Sequence, residues 1–95
     1  MIIDGYAPDW EKSLEKSAVF VCIAHASYDQ AGTLQANQLR YAIALQKPIF
    51  VLILPGRRLP SVLSGYADLT CVRSQGRQRN AACLRRWLEQ HGVII

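Results

Sequence analysis

Apolar and polar positions alternate in blocks along this chain, and the blocks differ in period. Ala18 to Ala24 is an unbroken apolar run rich in β-branched residues, and Ile49 to Leu54 is a second. Runs of this length without polar alternation read as strands buried on both faces, the mark of a parallel sheet. Leu69 to Val72 reads as a third short strand, and Met1 to Ile3 as a brief apolar opening strand before the turn residues Asp4, Gly5 and Pro8. Between the runs the period changes to that of a helix. Trp10, Leu14 and Ala18 keep helical spacing in a segment from Asp9, a candidate N-cap, to Lys16. A second helix is expected from about Thr33 to Gln46, stopped by Lys47-Pro48. A single helical turn fits Leu59 to Leu63, and a last helix runs from a cap at Asn80 to His91, ended by Gly92. The expected fold class is α/β: a small flavodoxin-like three-layer arrangement with a short parallel sheet of about four strands and three main helices, in one domain over residues 1–95.

The second helix is unusual in its apolar positions. Leu34, Tyr41 and Leu45 form one stripe, while Ala36, Leu39 and Ile43 form another nearly opposite it. Such a helix calls for two partners, the sheet and something else. Gln38 lies within the first stripe, so a polar group faces either the sheet or a pocket above it.

Composition adds constraints. The chain has 95 residues, of which 51% are apolar, enough for one domain with a thin stability margin, because a chain this short buries only about 60–65% of its unfolded surface. With Asp4 ahead of any long apolar run and no stretch approaching a bilayer span, neither a signal peptide nor a membrane helix is expected, and the protein reads as cytoplasmic. The three cysteines, Cys22, Cys71 and Cys83, form no C-x-x-C pair and read as reduced core residues. The net charge of +4 is uneven. Residues 48–95 hold seven Arg against Asp68 and Glu89, while residues 1–47 hold four basic against five acidic side chains. The Arg-rich half suits an acidic partner, weak nucleic-acid binding or an ordinary solvated face.

Several of these residues also match a known family. The strand Val19 to Ala24, Ser27 and Tyr28 in the loop after it, Gln38-Leu39-Arg40-Tyr41-Ala42 on the helix, Lys47 to Leu52, and Leu59-Pro60-Ser61-Val62-Leu63 follow one another in the family's order. With Trp10 on the preceding helix, the chain resembles a TIR-like (Toll/interleukin-1 receptor homology) domain of the superfamily that includes nucleoside deoxyribosyltransferase-like proteins. The resemblance implies a flavodoxin-like fold, homotypic association and, in enzymatic members, cleavage of the N-glycosidic bond of NAD or a nucleoside. It departs from the family in two places. The family's first strand and helix have no counterpart, and Gln38 stands at the position of the catalytic glutamate. A neutral amide cannot stabilise an oxocarbenium as a carboxylate does.

Other candidate chemistry lies near the C-terminal end of the first long strand, the edge where α/β folds place ligands. Asp29 is a weak catalytic candidate that a turn or helix-capping role explains better, and Asp4 could meet it there as a carboxylate pair. His25 lacks metal partners at ligand spacing, so no metal is expected. Asp4, Trp10, Ser27, Tyr28, Gly32, Thr33 and Leu34 are the candidate ligand-binding residues, Gly32-Thr33 through backbone N–H groups at a helix start. The leading expectation is a catalytically impaired TIR-like module for self-association or for binding a nucleotide-sized ligand, a homo-oligomer needing no cofactor, though NAD or a related nucleotide fits as ligand. The alternatives are an NAD or nucleoside N-glycosidic enzyme and an accessory protein that binds nucleic acid through the Arg-rich half.

Overall fold

A computed structural model describes residues 9–93; the expected opening strand Met1 to Ile3 and the candidate Asp4 lie outside them. The described elements run α1 (Trp10–Lys16), β1 (Phe20–Ile23), α2 (Leu34–Ala44), β2 (Ile49–Ile53), β3 (Leu69–Arg73) and α3 (Arg77–Gln90), with 3-10 turns at Ala26–Asp29 and Ser61–Leu63. The strands form a parallel sheet in sequence order, with Phe20 beside Ile49 and Ile49 beside Leu69.

Period-2 alternation sends the strand side chains to two cores. On one face Phe20, Cys22 and Ala24 of the first strand region join Ile49, Val51 and Ile53 of β2, covered by Leu14 of α1, Leu39 and Ala42 of α2, and Leu63. On the other face Val19 and Phe50 pack against Trp87 and Leu88 of α3. Phe50 and Trp87 stack at a tilt with ring centroids 5.3 Å apart. Helices therefore lie on both sides. The α1 and α2 helices cover one face and α3, which follows the last described strand, covers the other.

Four expectations change. The first apolar run is not buried on both faces: β1 buries Phe20 and Cys22 but leaves Val21 half-buried and Ile23 54% exposed, because α3 follows β3 and its buried side chains meet Phe50 and Val19. The second partner of α2 is α1. Trp10 meets the Tyr41 ring edge-on at 5.8 Å, and the Tyr41 hydroxyl donates to Glu15, so the doubly apolar helix is satisfied within one layer. Asn80 does not begin the last helix, which starts at Arg77 behind Gly76. Its side chain serves the preceding loop, accepting from the Gln75 N–H at 2.9 Å and donating to Ser74 Oγ at 2.9 Å. Gly76 sits at φ 102°, a backbone region open to glycine alone. Of the three cysteines only Cys22 is in the core; Cys71 is exposed on β3, the outer strand.

Candidate functional site

The loop from β1 to α2 is built by short-range hydrogen bonds that any polar-rich turn can supply. His25 begins the 3-10 turn: its Nδ1 accepts the Ser27 N–H at 3.1 Å and lies 3.0 Å from Ser27 Oγ. Thr33 ends the loop. Its hydroxyl donates to the carbonyls of Ser27 (2.6 Å) and Gln30 (3.0 Å) and accepts the Ala36 N–H at 3.1 Å, which caps α2. Gly32, at φ 86°, makes the turn that brings Thr33 into this position.

Asp29 holds the same loop to the opposite end of the chain's middle. Its Oδ1 accepts the Ser61 N–H at 2.8 Å and the Ser61 hydroxyl at 2.7 Å, thereby capping the Ser61–Leu63 turn. Those bonds, the hydroxyl first, hold its carboxyl below the usual carboxylate range. This is the capping role that the sequence allowed as the alternative to catalysis.

Beside this loop a groove of about 550 Å³ runs along the first strand, lined by Val21, Cys22, Ile23, His25, Ser27, Tyr28 and Gln35. Three consecutive strand residues in one lining mean that the groove follows the edge of β1. Phe20 and Ala24 donate backbone N–H groups to Pro48 and Leu52, on the β2 side. By alternation the backbone groups of Val21 and Ile23 point the other way, into the groove. The groove's floor is closed by a pair of neutral acids: Tyr28 and Cys22 are hydrogen-bonded, and burial pushes the Cys22 thiol up to about 12 and the Tyr28 hydroxyl above its ordinary value. Neither ionises near neutral pH.

The candidate residues thus separate. Ser27 and Tyr28 line the groove, and Gly32 and Thr33 shape the loop behind it. Trp10 is packed against α2 on the other side of the loop's helix. Leu34 is exposed at the first turn of α2. Gln38, which the resemblance sets at a glutamate position, is 4% exposed; it does not line the groove, where Gln35 stands instead, one turn earlier. His25 and Gln35 are groove residues that the spacing arguments did not single out as ligand contacts. Gln35 and Gln38 stand about one helical turn apart, and which of them reaches the β1 edge is decided by how α2 sits over the sheet.

Among the described residues no group of three His, Cys, Asp or Glu side chains is placed to hold a metal, and no helix is long and apolar enough to cross a membrane. No protein-family model, curated protein or solved structure matches this chain.

Proposed function

We propose that this chain is a TIR-like association module that pairs with a second copy of itself along β1. The observation that carries this reading is the groove at the β1 edge, into which the backbone N–H and C=O groups of Val21 and Ile23 point. Among the described residues no strand pairs with this edge, and such an edge is a template for strand addition, with backbone hydrogen bonds giving affinity and the alternate side chains giving register. A two-fold axis normal to the sheet places β1 antiparallel to its copy and makes one continuous sheet from two identical edges. Part of the same reading is the flavodoxin-like arrangement of about four strands expected from the sequence, whose opening strand Met1 to Ile3 lies outside the described residues.

Light scattering at tens of micromolar should give twice the 10.6 kDa chain mass. Val21→Pro should return the protein to a monomer, since the ring removes the outward N–H while the bonds from Phe20 and Ala24 to the β2 side remain. A wild-type monomer at that concentration would remove the reading.

A second reading is favoured by the groove's polar end. His25, Ser27, Tyr28 and Gln35 offer neutral hydrogen-bonding groups beside the apolar Val21 and Ile23, a mixture that suits a nucleoside or nucleotide. Cleavage of such a ligand is not part of it, because none of the seven described lining residues is a carboxylate and the position of the glutamate in the resembled family holds an amide. Equilibrium dialysis against NAD and adenosine tests it, with Tyr28→Ala and Gln35→Ala expected to lower the bound fraction.

A further inference from the structure

Two β1 edges in antiparallel contact can be centred on different residues, and each centre brings different side chains together. Backbone bonding narrows the choice. The N–H groups of Phe20 and Ala24 are bonded to the β2 side, so by alternation the backbone groups of Val19, Val21, Ile23 and His25 point away from it. Val19 is fully buried, and an incoming strand does not reach it. His25 begins the 3-10 turn, and its carbonyl already accepts the Tyr28 N–H at 3.1 Å. Val21 and Ile23 are left as the residues that can both donate to and accept from a second strand.

A two-fold axis at Cys22 sets Val21 opposite Ile23 of the second copy, and Ile23 opposite its Val21. Each of those pairs exchanges two backbone hydrogen bonds. An axis at Val21 would instead set Ile23 opposite the buried Val19, and one at Ile23 would set Val21 opposite His25, whose carbonyl is taken. The side chains point the same way. Val21 and Ile23 share the face that carries α3, where Val21 packs at the rim of the core and Ile23 is 54% exposed, more than any other large apolar side chain among the described residues. Opposed across the axis with Cα atoms about 5.5 Å apart, the two valines and two isoleucines make one cluster of β-branched cross-strand pairs and cover the side chain that a lone chain leaves in solvent. Cys22 lies on the axis with its side chain in the core of the other face. We infer that the two copies pair in this one register, with the axis at Cys22, and that the contact of Val21 with Ile23 across it makes the edge select a second copy over other strands. The inference rests on the self-pairing reading of the β1 edge and adds the residues that determine its specificity.

The test is a charge swap in the full chain, followed by light scattering over a concentration series. Val21→Glu and Ile23→Lys should each weaken self-association at least tenfold, because each sets a charge against an apolar partner in both pairs. The double variant carrying both should self-associate at least fivefold more tightly than either single one, since the new carboxylate then faces the new ammonium twice across the axis. With the axis at Val21 or at Ile23 the double variant would set like charges opposite each other and gain nothing. Should Val21→Glu lose the circular dichroism spectrum of the parent, Val21→Lys with Ile23→Glu makes the same comparison, the lysine stem covering the rim of the core while its charge reaches water. A dimer that Val21→Pro abolishes but that the double variant does not restore would overturn this register and keep the self-pairing reading. A dimer indifferent to Ile23→Lys would overturn the register as well, and a wild-type monomer would overturn both.

Discussion

Asp29 and Cys22 show how single side chains hold the β1 end of the sheet. Asp29 binds the Ser61 hydroxyl and N–H across the loops. Its lowered pKa means that this contribution is complete above the ordinary carboxylate value near 4 and is lost as pH falls through the lowered one. Because the group is exposed, Asp29→Ala should cost only about 0.5–1 kcal/mol at pH 7. Urea melts should show that difference shrinking to nothing by about pH 2. Cys22 works in the opposite direction. Its thiol is pushed up to about 12 by burial, so the folded state keeps the proton when the unfolded state, with a thiol near 8.5, gives it up. Stability from this group is therefore full below about pH 8.5 and is lost as pH rises above it. Alkaline melts should fall less steeply in Cys22→Ala than in the parent. In a thiol-labelling time course at pH 7.5, exposed Cys71 should react first, Cys83 more slowly and Cys22 only in denaturant.

At the scale of elements, α2 is the piece on which the first core depends. Leu39 is fully buried between the sheet and the rest of that layer, and Leu39→Ala should cost about 2–5 kcal/mol. Against a total of about 5–15 kcal/mol for a domain of ordinary stability, that is enough to lower the thermal midpoint by well over 10 °C, as calorimetry would show. Leu34→Ala, at the first residue of the same helix and 37% exposed, is the control, with a change of at most about 1 kcal/mol. The stripes of α2 were legible as apolar, yet which of them meets the sheet was not. Leu39 and Ala42 face the strands while Tyr41 faces Trp10, and that choice depends on α1, whose position no local pattern encodes.

For the molecule as a whole, the uneven charge resolves into separate groups rather than one patch. Arg57 and Arg58 are on a loop, Arg73 ends β3, and the other four arginines are spread around α3 at its start, one border and its outer face. Nucleic acid should therefore bind only weakly and with a steep salt dependence. A mobility shift surviving at nanomolar protein in about 0.2 M salt, and lost in Arg85→Ala with Arg86→Ala, would contradict this. Incubation with NAD should release no nicotinamide above a blank, since the amide of Gln38 is buried and the groove has Gln35 at its rim. Turnover that Asp29→Ala abolishes would instead make the capping carboxylate a catalyst.

Local pattern by itself determined the α/β class, the three described parallel strands, the helices between and after them, a helix start near Thr33 and the option of a cap at Asp29. These follow from hydrophobic period, β-branched content and turn chemistry, all of which act over a few residues. Tertiary structure alone decided that α3 crosses to the second face, that Ile23 and Leu54 stay in solvent, that Gln35 rather than Gln38 reaches the groove, and that Ser61 is the partner of Asp29. Each of those depends on which elements become neighbours and at what tilt, and such contacts join residues 30 or more positions apart, as Asp29 and Ser61 do. A short apolar run looks the same to a local pattern whether one of its faces is covered or both; only the placement of the covering helix tells them apart.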